Sequence, residues 1–126
     1  MTAPLLLLEN LQFRWPGQKR SCLDMAEFRV AADEQVFIHG ESGSGKSTLL
    51  NLVAGVLVPQ RGRIEAMGQE LSSLTAAARD RFRVDHIGLL FQQFNLIPYL
   101  SVLDNVLLPC RLPPGHRRGA CRERRR

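Results

Sequence analysis

The stretch Gln35-Val36-Phe37-Ile38-His39-Gly40-Glu41-Ser42-Gly43-Ser44-Gly45-Lys46-Ser47-Thr48-Leu49-Leu50 decides how this chain is read. A short β-prone run leads into a glycine-rich loop, and a helical pattern leaves it. Residues 40–47 fit G-x-x-x-x-G-K-[ST]. The residue types reflect the anion such a loop must hold. A triphosphate is a dense cluster of negative charge. Backbone N–H groups surround it only where the chain turns tightly and no side chain intervenes, which Gly40, Gly43 and Gly45 permit. A helix beginning near Lys46 turns its free N–H groups and the positive end of its dipole towards the anion. Lys46 is placed to reach the β- and γ-phosphates as a point charge. Ser47 is placed to give a hydroxyl to Mg²⁺, and Ser42, Ser44 and Thr48 stand beside the phosphates. Glu41 occupies a variable position and is expected to point outward.

Outward from the loop, residues 46–57 carry Leu49, Leu50, Val53, Ala54 and Leu57 at helical spacing, with Pro59 as the expected stop. Upstream, residues 5–15 and 19–30 read as strands separated by the Pro16-Gly17 turn, and residues 35–38 as the strand feeding the loop. Downstream, Gly62 opens a strand over 63–67. Residues 74–83 have good helix propensity, with Ser72 and Ser73 as candidate caps. The apolar run 87–91 reads as a buried strand. Ser101 and Asp104 form a capping box for a helix over 101–108, and Pro109, Pro113 and Pro114 are expected to break regular structure beyond it. No internal repeat is present.

Composition narrows the classes. The 126 residues are 44% hydrophobic and 23% charged, ordinary for one globular domain. No apolar run approaches the roughly 18 residues of a membrane helix, and Glu9 and Asn10 follow Leu5–Leu8 too closely for a signal peptide. Cys22, Cys110 and Cys121 are odd in number and widely spaced, which argues against a disulfide framework or a zinc site. His39, His86 and His116 do not cluster at metal-ligand spacing. The net charge of +5 is local: residues 111–126 hold seven of the seventeen basic residues and one of the twelve acids, so residues 1–110 are −1. The basic segment 113–126 reads as a solvated, disordered tail with no aromatic residues to stack on bases.

The loop by itself admits kinases, GTPases and many ATPases. The residues around it narrow the choice. Ser42–Asn51, then Val53-Ala54-Gly55-Val56 with Pro59, Gly62 and Gly68, resemble the start of an ABC-transporter ATPase. Ile87-Gly88-Leu89-Leu90-Phe91-Gln92 and Phe94-Asn95-Leu96-Ile97-Pro98 resemble the same family's Q-loop region, and Asp104-Asn105-Val106 with Leu108-Pro109 continues it. The wording is most like the lipoprotein-release and macrolide-export type. The resemblance runs from about Leu5 to Leu112. It implies an α/β P-loop NTPase fold over 1–112: the N-terminal part of an ABC ATPase domain, with antiparallel strands plus a partial parallel core sheet and the P-loop helix. It implies ATP and Mg²⁺ as cofactors. Gln92 takes the place of the glutamine that meets Mg²⁺ and the attacking water, and Trp15, with Phe13 as competitor, that of the aromatic residue stacked on adenine. It implies a transmembrane permease subunit as partner near residues 94–100, and a homodimer or second ATPase subunit. The expected location is the cytoplasmic face of the membrane, and no specific nucleic acid is expected.

Other features of that family are not in these 126 residues. There is no Leu-Ser-Gly-Gly-Gln signature, since Leu71-Ser72-Ser73 lacks the glycines, and no apolar strand ends in Asp-Glu. The expectation is a chain that binds nucleotide weakly and does not hydrolyse it at a useful rate. Past Leu112 the wording drifts into Arg, Pro, Gly and Cys, as an out-of-frame reading of GC-rich DNA, a degraded gene or a sequencing error would. Two other functions compete. A small P-loop kinase would use Arg79, Arg81 and Arg83 as a lid, although arginines spaced this way on a helix fan outward. A nucleic-acid binder would act through the basic tail.

Overall fold

The computed structural model describes residues 3–93 and 95–111. The tail expected over 113–126 and Phe94 lie outside the described residues. Two compact units are present, one up to Arg79 and one from Asp80.

The first unit is built on a four-stranded antiparallel sheet in the order β2-β1-β3-β4. Its strands are β1 (Leu6–Phe13), β2 (Leu23–Val30), β3 (Arg61–Ala66) and β4 (Gln69–Glu70), with helix α1 (Lys46–Val53) between β2 and β3. The register explains the face that each residue takes. Leu8 pairs with Ile64 and Leu6 with Ala66, which sets one face of the sheet. Asn10, at φ 49, forms an irregularity between Glu9 and Gln12 and adds one residue to the count. Past it the buried positions are Leu11 and Phe13, so the apolar set stays inside while its parity changes. β2 makes the same switch, with Leu23, Met25, Phe28 and Val30 half-buried. Gly62 faces the irregularity at φ 86, where a Cβ would sit 2.4 Å from the Asn10 carbonyl. Only glycine fits there.

The core of this unit is Leu8, Leu11, Phe13, Leu49, Leu52, Ile64 and Leu71, all buried. Each such side chain contributes about 1.5–3 kcal/mol relative to an exposed one. The outer face of the sheet is charged. Arg63 bonds Glu9, and Arg29 pairs with Glu27 at 2.6 Å. The hydrogen bond and charge of Glu9 raise Arg63 above its ordinary value, so it stays cationic at any working pH.

Several elements differ from the sequence reading. α1 stops at Val53 and does not run to Leu57. Gly55, at φ 70, donates to the Leu52 carbonyl at 3.0 Å, and Val56 donates back to Asn51 at 2.9 Å. That is a Schellman termination, so Gly55 and not Pro59 ends the helix. β3 continues through the Met67-Gly68 turn, both at positive φ, into the short strand β4. The residues read as the parallel core, 35–38 and 87–91, are irregular and have no ladder partner among the described residues. Phe37 is 88% exposed and Leu90 97%. A strand is a paired structure, and propensity without a neighbouring backbone does not make one.

Helix α2 (Ala76–His86) spans the division between the units. Its cap is Thr75, whose hydroxyl accepts from the Ala78 N–H at 3.3 Å. Ser72 and Ser73, the expected caps, instead bond the Ile64 N–H and the Glu70 carbonyl. In the second unit, the Phe82 and His86 rings lie 4.7 Å apart, tilted by 47°. Helix α3 (Val102–Arg111) starts at the expected capping box, with the Asp104 N–H donating to Ser101 Oγ at 3.0 Å. It continues past Pro109, the expected breaker. No described helix is long and apolar enough to cross a membrane.

Candidate phosphate-binding site

Strand β2 positions the loop from below. Gly45 sits at φ 96 as the N-cap of α1, and a Cβ on it would lie 3.1 Å from Leu23 Cδ2 and 3.2 Å from the Cys22 carbonyl. The conformation and the space both demand glycine at this point. Gly43, at φ 81, has open space around its Cα, so its requirement is the turn alone. The Ser44 N–H closes that turn on the Glu41 carbonyl at 3.2 Å.

No side chain caps the N-terminus of α1, and no acidic residue lies in its first turn. The first N–H groups of a helix have no carbonyl of their own to bond. They point, with the positive dipole end, into the space above the loop. Lys46 arches back across that loop. Its ammonium donates to the Gly40 carbonyl at 2.6 Å, to the Glu41 carbonyl at 2.6 Å and to Ser44 Oγ at 3.3 Å. Ser42, Ser44 and Ser47 are exposed around it, and the Glu41 side chain faces solvent. Thr48 is buried, and its hydroxyl lies 3.7 Å from Cys22 Sγ. Cys22 and Leu23 thus support the loop, a role that sequence spacing did not reveal because they are more than twenty residues away.

The aromatic pair separates by burial. Phe13 is 5% exposed and belongs to the core, whereas Trp15 is 38% exposed and packs edge-on against Phe13 at 5.1 Å. Phe13 pairs with Leu23, which touches Gly45, so Trp15 stands beyond the strand pair that carries the loop. Among the described residues no group of three or more His, Cys, Asp or Glu side chains is arranged to hold a metal. A magnesium ion bound with a triphosphate needs few protein ligands, because phosphate oxygens and water fill its shell. The exposed Ser47 hydroxyl in the first turn of α1 meets that requirement.

The sequence carries the same signature as this geometry. The sequence profile described as ABC transporter matches residues 23–126. The chain belongs to the ABC transporter family. An uncharacterized ABC transporter ATP-binding protein of Mycobacterium tuberculosis, MT1014, is 44% identical over 108 residues, covering 84% of this chain and 44% of that protein. The lipoprotein-releasing system ATP-binding protein LolD of Hydrogenovibrio crunogenus is 44% identical over 114 residues, covering 89% and 50%. The ATP-binding cassette MJ0796, solved as a dimer with ADP and Pi, superposes with a TM-score of 0.74 at 35% identity, covering 82% of this chain and 46% of that one. The chain spans half or less of the length of these relatives.

The second unit carries Gln92, which is exposed in a bend. Beyond it lies an apolar cavity of about 280 Å³, lined by Leu96, Ile97, Pro98, Leu100, Val102, Asn105 and Val106. Asn105 fixes its shape. Its carbonyl oxygen accepts from the Ile97 N–H at 2.8 Å, and its amide donates to the carbonyls of Ile97, Leu100 and Ser101 at 3.2, 3.2 and 3.0 Å. Two of the three arginines offered as a kinase lid are otherwise engaged. Arg79 donates to the Leu74 carbonyl at 2.7 Å and Arg83 pairs with Asp80. Both are half-buried, whereas Arg81 between them is exposed, as the outward fan predicts.

Proposed function

We propose that this chain binds ATP at Gly40–Thr48 as part of the ATP-binding subunit of an ABC transporter. The observation that carries the reading is the uncapped N-terminus of α1, ringed by positive-φ glycines and spanned by Lys46. A triphosphate replaces the loop carbonyls as the partner of the Lys46 ammonium and gains the free N–H groups of the first turn. Gly40, Ser42, Gly43, Ser44 and Gly45 shape the cradle, and Thr48 holds the first turn against Cys22. Ser47 is the residue of this loop for Mg²⁺, which when bound would neutralise phosphate charge; Gln92 keeps the role that the family resemblance gives it. Trp15, exposed beside the buried Phe13, stacks on adenine.

In this reading the cavity at Leu96–Val106 receives an apolar element of a transmembrane permease, and a second ATP-binding subunit pairs with the first. Transport couples to ATP only through those partners, and the chain acts at the inner face of the membrane. These 126 residues alone bind nucleotide without useful turnover, since no apolar run downstream of the loop ends in the Asp-Glu pair whose acid polarises water in the family it resembles. Loss of such a base costs about 10²–10⁴-fold. The test is a steady-state ATPase assay of the chain beside Lys46→Ala, together with MgATP titration. The expected result is Lys46-dependent binding with turnover at background. Lys46-dependent turnover near about 1 s⁻¹ would refute the second half of the proposal.

A further inference from the structure

The outer face of the antiparallel sheet divides into two halves that treat charge differently. In one half each arginine has its acid: Arg29 meets Glu27, and Arg63 meets Glu9 and Glu65. In the other half the register sets Asp24, Gln12 and Arg61 abreast across three strands, since Gln12 pairs with both. Arg14 follows directly after the end of β1 and lines the same cavity as that row. Lys19 comes over it from the β1–β2 connection. These side chains line a cavity of about 340 Å³ to which no residue of the phosphate loop contributes.

Three cations face this cavity and one carboxylate answers them. Asp24 already accepts from the Gln12 amide at 3.3 Å. Arg14, Lys19 and Arg61 form no ion pair among the described residues, and no side-chain hydrogen bond of theirs is present there. The floor is held in place from both sides. Gln60 receives the Arg14 N–H at 2.8 Å and donates to the Arg14 carbonyl at 2.7 Å, and its own N–H bonds the Gln12 carbonyl at 3.1 Å. A neighbouring half-face that neutralises itself shows that the sheet can pair its arginines. In the cavity it does not, and the positive potential is left for a ligand.

We propose that this cavity is a second anion site, separate from the phosphate loop, that takes a small ligand with two or more phosphate charges. Two guanidinium forks and an ammonium around one concavity match the geometry of phosphate oxygens. The volume is at the lower end of small-molecule sites, which selects a compact anion. A concave, pinned floor favours such a ligand over an extended acidic protein segment, which a flat patch would serve. The phosphate group comes either free or on an anionic lipid, and the two sources are separable.

The experiment titrates inorganic pyrophosphate into the Lys46→Ala chain, in which the phosphate loop is disabled. The expected result is one saturable, salt-sensitive site. Arg61→Gln and Arg14→Gln in that background should each weaken it about tenfold, the loss of one charge-assisted contact. Both side chains are exposed, so circular dichroism should show the fold unchanged. A second arm measures co-sedimentation with phosphatidylcholine vesicles containing phosphatidic acid. Arg61-dependent vesicle binding with weak pyrophosphate binding supports the proposal and assigns the lipid source. Absence of both, binding indifferent to Arg14 and Arg61, or capture of polyglutamate in place of either phosphate ligand overturns it.

Discussion

Strand β1 and the run Ile87-Gly88-Leu89-Leu90-Phe91 have similar apolar content and opposite fates. β1 pairs on both sides, and Leu8 and Leu11 are fully buried. The second run has no paired neighbour among the described residues, and Leu90 is 97% exposed. Residues 35–38 share that fate immediately before the phosphate loop. β-propensity describes how well a residue sits on a pleated, half-covered surface, so it acts only where backbone partners and a packing layer exist. The antiparallel sheet finds its partners within sixty residues of sequence. The runs that resemble a parallel core do not find theirs here.

Substitutions can break or sharpen that contrast. The largest effect belongs to Leu52→Ala, which empties a fully buried position between α1 and the sheet. Urea denaturation should show a loss of about 2–5 kcal/mol. Gly62→Ala comes next, because a methyl group there meets the Asn10 and Glu9 carbonyls at 2.4 Å. The strained backbone should cost about 1–3 kcal/mol by the same measurement. Ser101→Ala removes the cap of α3 and should lower helicity near residues 102–108, at about 0.5–2 kcal/mol. The smallest effect is that of Leu90→Ala, within about 0.5 kcal/mol. A loss above about 2 kcal/mol at Leu90 would mean that the run is packed after all, and the contrast with β1 would fall.

Legibility in the sequence followed the range of the interactions. The phosphate loop was readable because its chemistry is local: glycine dihedrals, a lysine and a helix start lie within nine residues. The capping box at Ser101 was readable for the same reason. Trp15 was set apart from Phe13 by its place beside Pro16-Gly17, and the two differ in burial, Phe13 in the core and Trp15 exposed. The features that escaped were set from a distance. Thr75 caps α2 because Ser72 and Ser73 are drawn to β3 and Glu70. The support of Gly45 by Cys22 and Leu23 depends on a strand pairing that no spacing announces. The early stop of α1 was legible in principle, since Gly55 follows a helical pattern, but Pro59 drew the reading past it.

The central claim is that the N-terminus of α1 and Lys46 hold the phosphates of ATP. Trp15 is the single tryptophan of the chain, so its emission reports directly on the proposed adenine position. Titration with MgATP should change Trp15 fluorescence saturably, and Lys46→Ala should shift the midpoint at least about tenfold. A flat titration, or one that Lys46→Ala leaves unmoved, would contradict the account.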